Sequence, residues 1–157
     1  MKKAFLLVVF VIAFMIPSSG AAGNLIGTWQ LNLSASDFGS DPPPKSITLT
    51  ILEDSKARLG YRVHRINSHG DFNYAWRGTK DGTPSATVVS GVSSTNSLEA
   101  NKEVNGEIVG HGIERDGTLV VTRVSVAPDG HSITLNNTWI QFDGTEVKQK
   151  WVFDKAK

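Results

Sequence analysis

The chain has no cysteine. Disulfide bonds are therefore excluded, and so is a lipid attached to a cysteine at a processing site. No charge of one sign dominates either. With Lys2 and Lys3 set aside, the 16 basic residues fall to 14, against 15 acidic ones. That balance argues against a surface built for phosphate or nucleic acid. After Ile16 no apolar run is long enough for a membrane helix, and no stretch repeats with helical spacing. Gly-x-Ser-x-Gly, His-Glu-x-x-His and a glycine-rich phosphate loop are all missing, so the common signatures of hydrolases, zinc proteases and nucleotide enzymes are not there.

What is there begins with residues 1–22. Lys2 and Lys3 precede an unbroken apolar run from Ala4 to Ile16, then Pro17, Ser18 and the small residues up to Ala22. A span needs about 20 apolar residues, and this run falls short, so the segment reads as a cleaved signal peptide on an exported, periplasmic or extracellular protein. Residues 23–157 are then the mature part, long enough for one domain.

Four x-Asp-Gly triplets punctuate that part, at Lys80-Asp81-Gly82, Arg115-Asp116-Gly117, Pro128-Asp129-Gly130 and Phe142-Asp143-Gly144. Asp favours the start of a tight turn and Gly takes the positive φ that closes it, and between alternating apolar and polar runs the pair signals a hairpin. Ten strands are expected, at about 25–33, 46–53, 57–66, 71–79, 83–90, 96–103, 106–115, 118–127, 131–141 and 145–154. Segment 34–45, with Pro42-Pro43-Pro44, and segment 91–97 read as loops. The class is all-β.

Hairpin geometry sets an expected register. Gln141 opposite Thr145 brings Trp139 to Val147, Asn137 to Gln149 and Leu135 to Trp151. Ala127 opposite His131 brings Arg123 to Leu135 and Val121 to Asn137, and Glu114 opposite Thr118 brings His111 to Val121. Glu53 opposite Ala57 sets Ile51 against Leu59, and Ile66 opposite Asp71 sets Tyr61 against Trp76 and Val63 against Tyr74. Thr79 opposite Thr83 sets Trp76 against Ala86 and Tyr74 against Val88. One face of the sheet is then largely apolar. The other carries Arg58, Arg62, His64, Asn73, Arg77, Glu146, Lys148 and Lys150. A meander with one apolar face and no covering helix closes into an antiparallel up-and-down barrel of eight to ten strands, or splits into a sandwich; closure also removes the edges, and the barrel is expected. In 118–127 the even positions Val120, Val124 and Val126 are as apolar as the odd ones. A different loop length after Glu114 turns that strand over and points Arg123 outward.

Leu25-Ile26-Gly27-Thr28-Trp29-Gln30-Leu31, followed by Ser36-Asp37-Phe38, resembles the opening of the calycin barrels: the lipocalins, the fatty-acid-binding proteins and the avidins. The Gly-Thr-Trp start and the proline run are also similar to a group of secreted bacterial lipocalin-like proteins. The resemblance implies a barrel whose first-strand tryptophan, Trp29, plugs the closed end while a small apolar ligand fills the cavity. It departs from the family in three places. Residues 34–45 are too short and proline-rich for the helical lid of fatty-acid-binding proteins. Gln149-Lys150-Trp151 stands where those proteins carry Arg-x-Tyr. No Arg follows Arg123, whereas lipocalins close with one.

The expected interior places His111, Asn137 and Gln149 at one level, with Arg123 one level away. These groups either orient an otherwise apolar ligand or satisfy one another and water. Tyr61, Tyr74, Trp76, Trp139 and Trp151 share that face, where they line a cavity or simply fill a small barrel. His64, His69 and Asp71 near one turn are a weak metal set, and no metal site is expected. The leading reading is a binding protein for a small apolar or amphipathic molecule, with Arg123 favouring an anionic one. The alternatives are a solid barrel that acts through its surface, as an envelope, inhibitor or interaction protein, and a barrel isomerase or cyclase using His111. No cofactor, nucleic-acid partner or membrane span is called for, and the sequence is silent on oligomeric state.

Overall fold

The computed structural model describes residues 24–68, 70–89, 92–114 and 116–157, and for 92–96 the backbone alone. The expected signal segment 1–22 lies outside the described residues, as does His69. The described residues form a closed antiparallel barrel of ten strands. They are β1 (Gly27–Leu31), β2 (Ser46–Asp54), β3 (Arg58–Asn67), β4 (Gly70–Thr79), β5 (Ser85–Val89), β6 (Val92–Val104), β7 (Glu107–Ile113), β8 (Leu119–Val126), β9 (Ser132–Ile140) and β10 (Glu146–Lys155). Each pairs with its neighbours in sequence, and the short β1 closes the ring by pairing with both β2 and β10.

The turns carry the chemistry expected of them. Asp81, Asp116, Asp129 and Asp143 each accept a hydrogen bond from the backbone N–H two residues on, at 2.8–2.9 Å. The β6–β7 hairpin turns on Asn105-Gly106, both at positive φ (53° and 82°), a pair of conformations that Asn and Gly tolerate best.

Register agrees with expectation for β9–β10, β3–β4 and β7–β8 and departs from it for β2–β3, β4–β5 and β8–β9. β2–β3 is displaced by two residues around a bulge between Ile51 and Glu53, so Ile51 faces Tyr61 and Ile47 faces Arg65. An even displacement keeps the apolar side chains inside. β5 begins only at Ser85, because Pro84 has no N–H to offer the ladder and the N–H of Thr83 is held by Asp81. Tyr74 therefore faces Val89 and Ala75 faces Val88, not the expected Tyr74–Val88 and Trp76–Ala86 pairs. The expected loop over 91–97 is a strand from Val92 onward.

The largest correction concerns β7 and β8. The loop between β8 and β9 holds four residues, Pro128 to His131, because the N–H of Ala127 bonds to the carbonyl of Ser132. The expected three-residue loop would have aimed Arg123 inward. The extra residue turns β8 over, and β7 with it, since their mutual pairing (His111 with Val121, Val109 with Arg123) is as expected. The displacement arises at this loop, not after Glu114. It buries the side of β8 carrying Val120, Thr122, Val124 and Val126 and leaves Arg123 and Ser125 outside, which avoids burying a guanidinium.

One end of the barrel is packed solid. Leu25, Trp29, Ile51, Leu59, Trp76, Ile108, Ile133 and Phe153 form its core. Trp29 is 0 % exposed and its indole N–H bonds to the carbonyl of Leu25 at 2.9 Å. Beside it, Lys80 pairs with Asp54 and Glu103, and Asp54 also accepts the N–H of Leu25 at 2.9 Å. At the other end the segment after β1 makes one 3-10 turn capped by Asn32, bridges to Lys150 through Asp37, and reaches β2 past a buried Pro44.

Candidate functional site

The barrel is hollow above its packed end. A cavity of about 690 Å³ is bounded by Leu49, Ile51, Leu59, Ile108, Ile133 and Phe153 below, and by Tyr61, Val63, Tyr74, Val120, Val124, Leu135, Trp139 and Trp151 along its walls. Gly110 and Gly112 face it from β7. At Gly112 an added Cβ would meet nothing nearer than 3.8 Å, so the wall is open there, whereas at Gly110 it would stand 2.8 Å from Asn101 Oδ1, whose side chain takes that space.

Inside this apolar chamber polar groups gather at three places. The first is Glu99 on β6. Its carboxylate accepts hydrogen bonds from the hydroxyls of Tyr61 and Tyr74 and from the side-chain N–H of Asn101, while its carbonyl accepts the indole N–H of Trp76 at 3.1 Å. Burial pushes the Glu99 carboxyl above the usual carboxylate range; the hydrogen bonds from Tyr61 and Asn101 work against that, and the nearby Glu114 charge adds to it. Tyr61 is raised well above its ordinary value by burial first and the Glu99 charge second.

The second is the pair Thr122 and Asn137 across β8 and β9. The Thr122 hydroxyl donates to Asn137 Oδ1 at 2.8 Å. Asn137 is 4 % exposed, and its Nδ2 has no hydrogen-bond partner among the described residues. The third lies at the mouth. Gln149 accepts the indole N–H of Trp151 at 2.8 Å and donates to Asp41 at 2.7 Å, which ties the proline-rich segment to the rim. Arg65 lies 5.6 Å over the Trp151 ring and donates from Nε to Asn67 at 2.8 Å. Partial burial lowers its pKa and the Asp41 charge opposes that. Glu114, also at the mouth, is raised by burial and by Asp116.

Of the residues expected to face a ligand, Tyr61, Tyr74, Asn137, Trp139 and Trp151 line the cavity. Trp76 belongs to the packed core below it. Gln149 is turned to Asp41 and Trp151. Arg123 is corrected: it is on the outer face, its side chain 57 % accessible and paired with Glu107 at 3.2 Å, whereas His111 borders the cavity between Gly110 and Gly112 but is exposed. The expected level His111–Val121–Asn137–Gln149 is in fact Asn101–Gly110–Thr122–Asn137–Gln149.

Sequence reasoning passed over Glu99 and Arg65. Arg65 was within reach, since it alternates with Leu59, Tyr61 and Val63 on the inward side of β3. Glu99 was not: Leu98 and Ala100 look like the buried face of that segment, and the reverse holds because the hydroxyls of Tyr61 and Tyr74 await it. Among the described residues no three His, Asp or Glu side chains converge as a metal site, and His64 stands 3.5 Å from Asp71 on the outer face.

No family model matches this sequence, and no curated protein matches it. Among solved structures the chain is similar to a redesigned β-barrel, with 14 % identity over 87 % of this chain and 96 % of that one, at a TM-score of 0.48. Fold and site thus rest on the molecule's own geometry.

Proposed function

We propose that the protein is a calycin-like binding protein, exported to the periplasm or beyond by residues 1–22, that holds a small apolar or amphipathic molecule inside the barrel. The observation that carries this is the cavity: about 690 Å³, walled by aliphatic and aromatic side chains with a few polar groups directed inward. Small-molecule sites have this size and make-up. The cavity favours interior binding over action through the outer surface. That surface carries Arg58 and Arg77 paired to Glu53 and Lys148 paired to Glu146, an ordinary solvated face that does not suit lipid contact. No side-chain partner that would make a base of His111 stands beside it among the described residues, which gives little support to a barrel isomerase.

The anionic preference expected from Arg123 loses its basis, because that guanidinium is outside. Arg65, on the rim, is the cation nearest the ligand.

Native and denaturing mass spectrometry of protein purified from its own compartment tests the reading, together with uptake of the neutral probe N-phenyl-1-naphthylamine. A molecule released on denaturation, or saturable probe uptake, is expected. Gly112→Leu should abolish uptake without unfolding the barrel. A Cβ at Gly112 meets only Leu98 O at 3.8 Å and Val120 Cβ at 3.9 Å, and the rest of the leucine enters the cavity. No bound molecule and no uptake by the wild type would overturn the proposal.

A further inference from the structure

Charge is distributed unevenly over the cavity wall. Of the described residues that line it, Glu99, Glu114 and Asp116 are acidic, and Arg65 is the sole Lys or Arg. Arg65 sits at the rim, occupied by Trp151 and Asn67, with Asp41 close by. Glu114 and Asp116 lie towards the mouth, so the depth of the barrel holds one acidic group, Glu99, without a basic one beside it.

Glu99 is the innermost of these. Every group that reaches its carboxylate among the described residues is a neutral donor: two phenols and an amide. Asn101 Nδ2 can only donate, and the two phenols can donate as well, so the three partners can together serve an ionised carboxylate. No Lys or Arg pairs with it among the described residues, and a buried charge without a counter-charge is costly. Three of about four lone-pair sites are taken, which leaves room for one more donor from the cavity side. Glu114 adds to the demand, since its negative charge acts on Glu99 across the same space.

On the β9 wall Asn137 Nδ2 has no partner among the described residues and less than 1 Å² of accessible surface, so it lies behind the cavity surface, out of reach of an occupant.

Resting on the proposed interior binding, we infer that the cavity selects a lipophilic amine: an apolar body with a protonated amino group set against Glu99. The ammonium supplies the missing counter-charge and stabilises Glu99 in its ionised form. The carboxylates repel a fatty acid from the same position. A metal ion is a poorer occupant, because no three acidic or imidazole groups converge.

The test is displacement of N-phenyl-1-naphthylamine from the mature protein by dodecylamine, dodecanol and dodecanoate, chains matched in length and differing in the head. Dodecylamine should compete at least about tenfold better than the other two, the gain of one charge-assisted hydrogen bond. In Glu99→Gln the amine should fall to the level of the alcohol while the alcohol is unchanged, with the far-ultraviolet circular dichroism of the wild type. Equal competition by the three chains, or preference for the carboxylate, overturns the amine assignment and leaves interior binding standing. Absence of probe uptake overturns interior binding itself. Should Glu99→Gln fail to fold, the wild-type ranking of the three heads still decides.

Discussion

Glu99 concentrates the chemistry of the site in one side chain. Its carboxyl lies among the rings of Tyr61, Tyr74 and Trp76, which also pack against one another at 5.9–6.0 Å. Burial makes ionisation of such a group costly, while three neutral donors recover part of that cost. The consequence for stability has a definite sign. A carboxyl whose pKa is raised on folding contributes stability that is fully present below about pH 4.3, the ordinary value, and is lost as pH rises through the raised one. Glu99→Gln keeps the shape and an acceptor for the donors but cannot ionise. The stability of the wild type relative to Glu99→Gln should therefore decline as pH climbs from about 4 and level off above the folded pKa. Urea unfolding midpoints of both proteins across that range measure the difference, and a flat difference would show that Glu99 is not buried as described. Differencing the two proteins cancels most of the contribution of Glu114, which is raised in the same direction.

The element that decides the site is the β8–β9 hairpin. Its loop of Pro128, Asp129, Gly130 and His131 is one residue longer than the three-residue loops 115–117 and 142–144. With period-two side-chain alternation, that one residue determines which face of β8 and β7 is buried. Shortening it by deleting His131 would force Arg123 inward and expose Val120, Val124 and Val126, each worth about 1.5–3 kcal/mol when fully buried. Set against the 5–15 kcal/mol typical of a domain, that loss should leave a chain without a cooperative thermal transition. A deletion variant that melts like the wild type would mean that β8 does not rely on the loop for its facing. The same element marks the limit of sequence reading. Val120, Val124 and Val126 announced a second apolar face, but alternation within the strand could not choose between Val121 and Thr122 as the inner partner of Asn137. The four-residue loop and the cost of burying Arg123 made that choice. Arg65, by contrast, was legible from alternation along β3 alone.

Taken whole, the barrel is a packed floor under a hollow chamber, and Trp29 joins the two halves of the sheet at that floor. It lies on the short closing strand, is fully buried, bonds to Leu25, and has Lys155 at 5.2 Å from its ring. Trp29→Ala should cost about 3–5 kcal/mol through lost burial and the cavity left behind. The shift in urea midpoint measures it, and a cost under about 1 kcal/mol would mean that closure does not depend on this side chain. The amino-acid sequence by itself determined the class, the antiparallel order and the position of most turns, and it left the number of paired strands between eight and ten. These follow from local causes: Asp-Gly backbone preferences, proline's missing N–H, and the period of two. Only the tertiary structure decided which of two apolar faces turns inward on β7 and β8, that Glu99 faces the cavity while Arg123 does not, and that the barrel is hollow. Those outcomes depend on loop length, charge burial and the volumes of side chains brought together from distant parts of the chain, and no local pattern carries that information.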